Sequence, residues 1–159
     1  MKKISSVMLT LVLLLGLTGC GDTKVEPTER VYSLSGEIEE LRVINGVAVI
    51  GSDTETFYGG MLELKTDDFN SVIKLDMEFY ISDSSDNWTI LNNVVQDETG
   101  TFSLGNQELG KITGSILNTN MELSEFEENL YFRLDITDKN DNVETYTIPM
   151  EVKEVTSVN

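Results

Sequence analysis

Histidine is absent from the 159 residues, cysteine occurs once, proline twice, and basic side chains are scarce, with 11 Lys and Arg against 28 Asp and Glu. Each shortage excludes a class of chemistry. Without an imidazole there is no Ser-His-Asp triad, no Cys-His pair and no ordinary zinc site. One thiol has no second thiol in the chain to pair with. A formal net charge of −17 offers phosphates a field of the wrong sign, so nucleic acid is excluded as a partner. Few prolines and a hydrophobic fraction of 40% favour a packed core over disorder.

The single cysteine lies where a targeting signal ends. Lys2 and Lys3 form a basic start, and an apolar run from Val7 to Leu17, broken by Thr10 and Gly16, follows. That run is too short to span a bilayer, which needs about 20 apolar residues, and reads as an export signal. It closes on Leu17-Thr18-Gly19-Cys20. These four residues resemble the lipobox of bacterial lipoprotein precursors, with Leu17, Thr18 and Gly19 as the signal-peptidase recognition residues and Cys20 as the acceptor. The resemblance covers the leader alone. It implies that a diacylglyceryl group is attached to the Cys20 thiol and that the chain is cut between Gly19 and Cys20. Two acyl chains hold a protein on a membrane stably where one does not.

The chain therefore divides into a signal peptide over 1–19, a lipidated Cys20 with a tether to residue 30, and one domain over 31–159. Gly21 to Arg30 is rich in Gly, Asp, Thr, Lys and Glu and has the composition of a flexible stalk. Gly21 and the shortness of the stalk fit display on the outer face of the cytoplasmic membrane of a Gram-positive cell. Loss of Lys2 and Lys3 with the leader makes the mature chain more acidic still. Such a head is repelled by an anionic bilayer and needs its lipid foot.

Beyond the stalk, apolar residues recur every second position. Ile73, Leu75, Met77, Phe79 and Ile81 alternate with Lys74, Asp76, Glu78 and Tyr80, and Leu130, Phe132, Leu134 and Ile136 alternate with Tyr131, Arg133 and Asp135. Tyr146, Ile148, Met150 and Val152 continue the pattern after the turn-forming run Asp138–Asn142, which predicts a closing hairpin. Pro149 lacks a ladder donor and places that last strand at a sheet edge. Asn45-Gly46 is the strongest short hairpin signal, joining a strand over Leu34–Ile44 to one over Val47–Gly51. The apolar phase changes between Ile38 and Leu41, which predicts a bulge near Glu39 and Glu40. Further strands are expected over Phe57–Lys65, Trp88–Val95, Thr101–Leu104 and Lys111–Leu117, with a short helical turn over Glu122–Asn129. Eight or so short strands between Gly, Asn, Asp and Ser turns predict an all-β antiparallel sandwich, resembling immunoglobulin-like domains in strand pattern, with a small β-barrel as the alternative.

Two constellations are candidates for function. Lys74, Asp76, Glu78 and Tyr80 share a wet face, as do Tyr131, Arg133 and Asp135. On neighbouring strands they would make a charged, aromatic platform able to grip a protein or a glycan. Cross-strand stabilisation accounts for the same residues without a ligand. Asp83 and Asp86, and Asp138, Asn140 and Asn142, space oxygen atoms as calcium loops do. The second run lacks the EF-hand glycine and glutamate, since Val143 and Pro149 stand in their places. Trp88 is expected as a core anchor. None of the carboxylates sits in a recognisable catalytic motif, so the expected role is a non-catalytic module that binds an envelope or incoming macromolecule. Capture of calcium or another cationic ligand is the alternative.

Overall fold

The computed structural model describes residues 29–65, 72–82, 86–97, 99, 106–117 and 121–156. Leu17, Thr18, Gly19, Cys20, Asp83 and the expected strand over Thr101–Leu104 lie outside the described residues. Eleven strands and one helix follow in order. They are β1 (Glu29–Glu37), β2 (Leu41–Gly51), β3 (Glu55–Tyr58), β4 (Met61–Leu64), β5 (Val72–Ser82), β6 (Asn87–Gln96), β7 (Gln107–Glu108), β8 (Lys111–Gly114), α1 (Leu123–Asn129), β9 (Leu130–Asp138), β10 (Val143–Pro149) and β11 (Glu151–Glu154). All pairings are antiparallel, in two sheets. The larger has the order β11-β1-β2-β3-β8, with β4 between β2 and β7, and the smaller is β10-β9-β5-β6. The architecture is an antiparallel sandwich and not a closed barrel.

The segments of the larger sheet follow five strand paths. β2 is one unbroken strand whose first half pairs with β4 and whose second half pairs with β3. Asn45-Gly46 is thus a bulge inside β2, not the turn of a hairpin. Asn45 takes a left-handed φ of 59°, and the register against β1 slips between Leu34 and Gly36. Left-handed Asn before Gly suits either structure. The bulge prevails because β2 is hydrogen-bonded on both flanks. The true turn joins Glu37 to Leu41, where the Ile38 N–H donates to the Leu41 carbonyl at 2.9 Å. The bulge expected near Glu39 and Glu40 is this turn. The bulge at Asn45 also moves the inward positions of β2 from Leu41 and Val43 to Gly46 and Ala48.

The next path breaks at the same level. Between β3 and β4, Gly60 has a φ of 81°, and a Cβ there would lie 2.2 Å from the Ile44 carbonyl oxygen. Gly59 N–H donates to Gly110 O and Leu109 N–H to Gly60 O, both at 3.0 Å, which carries the break into the β7–β8 path. A crease therefore runs across three adjacent strands. Into it fits Phe79 of the opposite sheet, whose Cε2 lies 2.7 Å from where a Gly59 Cβ would stand. Phe79 packs on Phe57 of the larger sheet at 5.0 Å between ring centroids and on Phe132 at 4.9 Å.

The smaller sheet keeps its expected alternation. Leu75, Met77, Phe79 and Ile81 of β5 and Leu130, Phe132, Leu134 and Ile136 of β9 are buried. At the start of β5 a register slip between Val72 and Lys74 buries Val72 and leaves Ile73 half-buried. In β6 a slip opposite Phe79 and Tyr80 lets both Ile90 and Leu91 face inward. β10 is an edge strand, as Pro149 requires, and the chain then crosses through Met150 into the other sheet as β11. The helix α1 opens on a Glu122 N–H that donates to Glu125 Oε2 at 3.2 Å, and it lays Phe126 edge-on against Tyr32 at 5.6 Å.

If the crease is required, Gly60→Ala destabilises the fold by about 1–3 kcal/mol through clash and left-handed strain, and Phe79→Ala by about 3–5 kcal/mol. Urea unfolding measures both, and a neutral Gly60→Ala would show that the crease is dispensable.

Candidate binding surfaces

The two strands carrying the expected platform are neighbours. Asp76 stands opposite Asp135, Glu78 opposite Arg133 and Tyr80 opposite Tyr131, so six of the seven residues form three cross-strand pairs. Lys74 lies one row further, opposite Thr137. All face outward because their neighbours in sequence fill the core. The tyrosine rings stack, with centroids 5.7 Å apart and planes within 20°.

The charges on this face are already matched to one another. Arg133 Nη2 lies 2.7 Å from Glu78 Oε2, and its Nε 3.5 Å from Asp135 Oδ2. Lys74 Nζ reaches Asp76 Oδ2 at 3.2 Å. Neutral donors complete the set. Asn92 Nδ2 donates to Asp76 at 2.9 Å, Thr145 Oγ1 to Asp135 at 2.7 Å, and Thr89 Oγ1 to Glu78. Asp76 and Asp135 are like charges directly opposite, which alone would weaken the ladder, and these partners offset the repulsion. The ordering of long side chains by cross-strand pairing is the chief visible role of this network.

The turn over Asp138–Asn142 folds around its own carboxylate. Asp138 Oδ1 accepts the Asn140 N–H at 2.7 Å and the Asn142 N–H at 2.9 Å. Its Oδ2 accepts Asn142 Nδ2 at 2.9 Å and Asn140 Nδ2 at 3.4 Å. A carboxylate has about four lone-pair sites, and four donors occupy them. The amide groups of Asn140 and Asn142 turn their NH₂ ends to Asp138, the orientation opposite to that of a cation ligand. These bonds, with the Asn142 side chain foremost, lower the Asp138 pKa from 3.8 to about 2. In the other candidate turn, Asp86 Oδ1 accepts the Asn87 N–H at 3.1 Å. Among the described residues no group of three or more acidic or cysteine side chains is placed to hold a metal.

Trp88 is not a core anchor. Its ring is 42% exposed at the β6 edge, and its Nε1–H donates to the Ile116 carbonyl at 2.9 Å, which ties β6 to the segment after β8. The register explains this: Trp88 pairs with inward-facing Ile81, but among the described residues β6 is the last strand of its sheet, with no strand paired on its far side. Tyr32 on β1 is fully buried, packed against Phe126. Burial, partly offset by Arg30, raises the pKa of its hydroxyl, which has no hydrogen bond of ordinary geometry.

The outer face of the larger sheet carries exposed apolar side chains that strand periodicity does not single out. Val47 is 37% exposed and Val155 52%, and Val31, Ile44, Val49, Tyr58 and Met61 beside them are half-buried. A signal for it exists in Val47-Ala48-Val49-Ile50, which is apolar in both phases where a strand with one wet face alternates. Next to it, Ser35, Gly36, Arg42, Ile44, Pro149 and Glu151 border an open depression of about 400 Å³ where β10 turns into β11. At the end of the sandwich where β1 begins, a second hollow of about 350 Å³ includes Glu55, whose Oε2 accepts the N–H groups of Ile116 at 2.6 Å and Leu117 at 2.7 Å. That carboxylate fixes the chain leaving β8.

Compared with family models, curated proteins and solved structures, the chain matches none, and the reading of its surfaces stands on their own geometry.

The Asp138 turn has a pH signature. Because the folded pKa lies below the unfolded value, the unfolded chain takes up this proton first. The turn's contribution is complete above pH 3.8 and is lost as the pH falls towards about 2. Thermal melts of the protein and of Asp138→Asn should therefore differ most near neutrality and converge between pH 4 and pH 2; a gap constant with pH would contradict this account.

Proposed function

We propose that the protein is a lipoprotein displayed on the outer face of the cytoplasmic membrane of a Gram-positive cell, where its β-sandwich acts as a non-catalytic binding module for another macromolecule. The observation that carries the reading is the lipobox Leu17-Thr18-Gly19-Cys20, which places the only cysteine of the chain at the acylated position. The fold is compatible in its spacing. Strand β1 starts at Glu29, two residues inside the expected stalk, so residues 21–28 are left as tether. Eight residues reach at most about 29 Å when extended. The head is thus held within a domain's width of the bilayer.

The tether enters at one end of the larger sheet, beside the β2–β3 turn, since Glu29 pairs with Gly51. The β1–β2 turn and the β9–β10 turn lie at the other end of the strands. A tether at one end leaves the sheet faces and the far turns open to a partner. The exposed valines on the larger sheet support a role in association, because apolar side chains grouped on one face gain free energy when covered.

Cys20→Ala tests the anchor. In cells fed an alkyne-bearing fatty acid, the natural chain should take up label and the variant should lose it entirely while keeping its leader. Undiminished labelling of the variant would place the lipid elsewhere and overturn the reading.

A further inference from the structure

The outward positions of the larger sheet fall into rows across its strands. One row runs Lys153, Ser33, Val47, Tyr58, Lys111, from edge to edge. The next, one step along the strands, runs Glu151, Ser35, the bulge at Ile44, Met61, Glu108. One row has a lysine at each end and the other a glutamate at each end; between them each row has a serine on β1 and then two larger side chains, Val47 and Tyr58 in one and Ile44 and Met61 in the other. Among the described residues none of these four charged groups has an ion pair, in contrast to the matched charges of the smaller sheet.

We propose that this face binds the same face of a second copy of the chain, forming a twofold symmetric dimer. A twofold axis lying in the interface, parallel to the rows and midway between them, carries each row onto the other. It sets Lys153 over the second copy's Glu151 and Lys111 over the second copy's Glu108, and does so twice by symmetry. Val47 and Tyr58 then cover the second copy's Ile44 and Met61. Such a contact is isologous, with one patch serving both partners. The two central rows carry opposite signs and become each other's complement under a single rotation, which fits a second copy better than a uniformly charged partner; the outer rows bring Val31 and Val49 over the second copy's Arg42 and Glu63, which are already paired with each other.

The area is sufficient. Strands about 4.8 Å apart and outward residues about 6.7 Å apart give five strands by four rows a face of roughly 600 Å². Two such faces bury about 1,200 Å², the lower end of specific protein interfaces. Affinity near micromolar is expected, since ion pairs at a rim add little and the apolar centre is small. Confinement of both copies to one membrane would raise their effective concentration. The dimer itself does not depend on the lipid anchor.

Charge exchange tests it. Sedimentation equilibrium of the full chain in density-matched detergent should show monomer and dimer exchanging with concentration. Lys111→Glu with Lys153→Glu should weaken association at least about tenfold by opposing like charges, and Glu108→Lys with Glu151→Lys should weaken it equally. The second pair matters because it lowers the net negative charge, so general repulsion between copies would predict tighter association instead. All four substitutions together should restore the natural affinity within about threefold. The four positions are exposed, and unchanged circular dichroism melts would show that the variants fold. A chain that stays monomeric at 100-fold higher concentration than micromolar, or doubles that associate as well as the natural chain, or a quadruple variant no better than the doubles, would overturn the proposal.

Discussion

The seat of Phe79 on Gly59 is the contact on which the two layers depend. A phenyl ring of one sheet reaches the backbone of the other only where a side chain is missing, and Gly59 and Gly60 supply that place. Both glycines sit at the level of the Asn45 bulge, so one local irregularity extends over three strands. The bulge exchanges the inward phase of β2, the left-handed Gly60 lets the adjacent path follow it, and the hydrogen bonds to Leu109 and Gly110 carry the bend to the sheet edge. The aromatic chain Phe57–Phe79–Phe132 then ties the crease to the most regular part of the molecule, the β5–β9 ladder.

What the sequence made legible was what period alone determines. β5, β9 and β10 each alternate over several residues, and alternation fixes strand, face and burial together. The short helical turn over Glu122–Asn129 was legible, and Pro149 marked an edge. The placement of Asn45-Gly46 was not, because the dipeptide specifies a backbone conformation and not its context. Whether the chain reverses or continues there depends on its pairing with β1 and β4, which lie outside the dipeptide and its immediate neighbours. Trp88 misleads for a related reason. Its phase points inward, yet β6 is the edge strand of the described sheet, and edge position is a property of the sheet.

The two outer surfaces divide the remaining chemistry unequally. On the smaller sheet every charged side chain of the platform has a protein partner, so the seven residues that alternation brought together stabilise one another. Single-strand patterning identified them but could not show that they were satisfied. On the larger sheet Lys111, Lys153, Glu108 and Glu151 at the edges have no ion pair among the described residues, while Arg42 and Glu63 further in are paired and Val47, Ile44, Tyr58 and Met61 lie between the edges. Net charge, the most conspicuous property of the composition, hides this, since lysines at both edges of a sheet disappear in an average dominated by carboxylates.

The position of β1 has a mechanical consequence. It is an interior strand, bonded to β11 on one side and β2 on the other, and the proposed tether leaves directly from its first residue. Tension along the tether runs parallel to the strand and perpendicular to its hydrogen bonds. Both ladders are loaded in shear, and their bonds must fail together instead of opening one after another from an end. A domain anchored through an edge strand pulled sideways would peel, whereas one held through β1, as proposed, would resist the pull with both ladders at once.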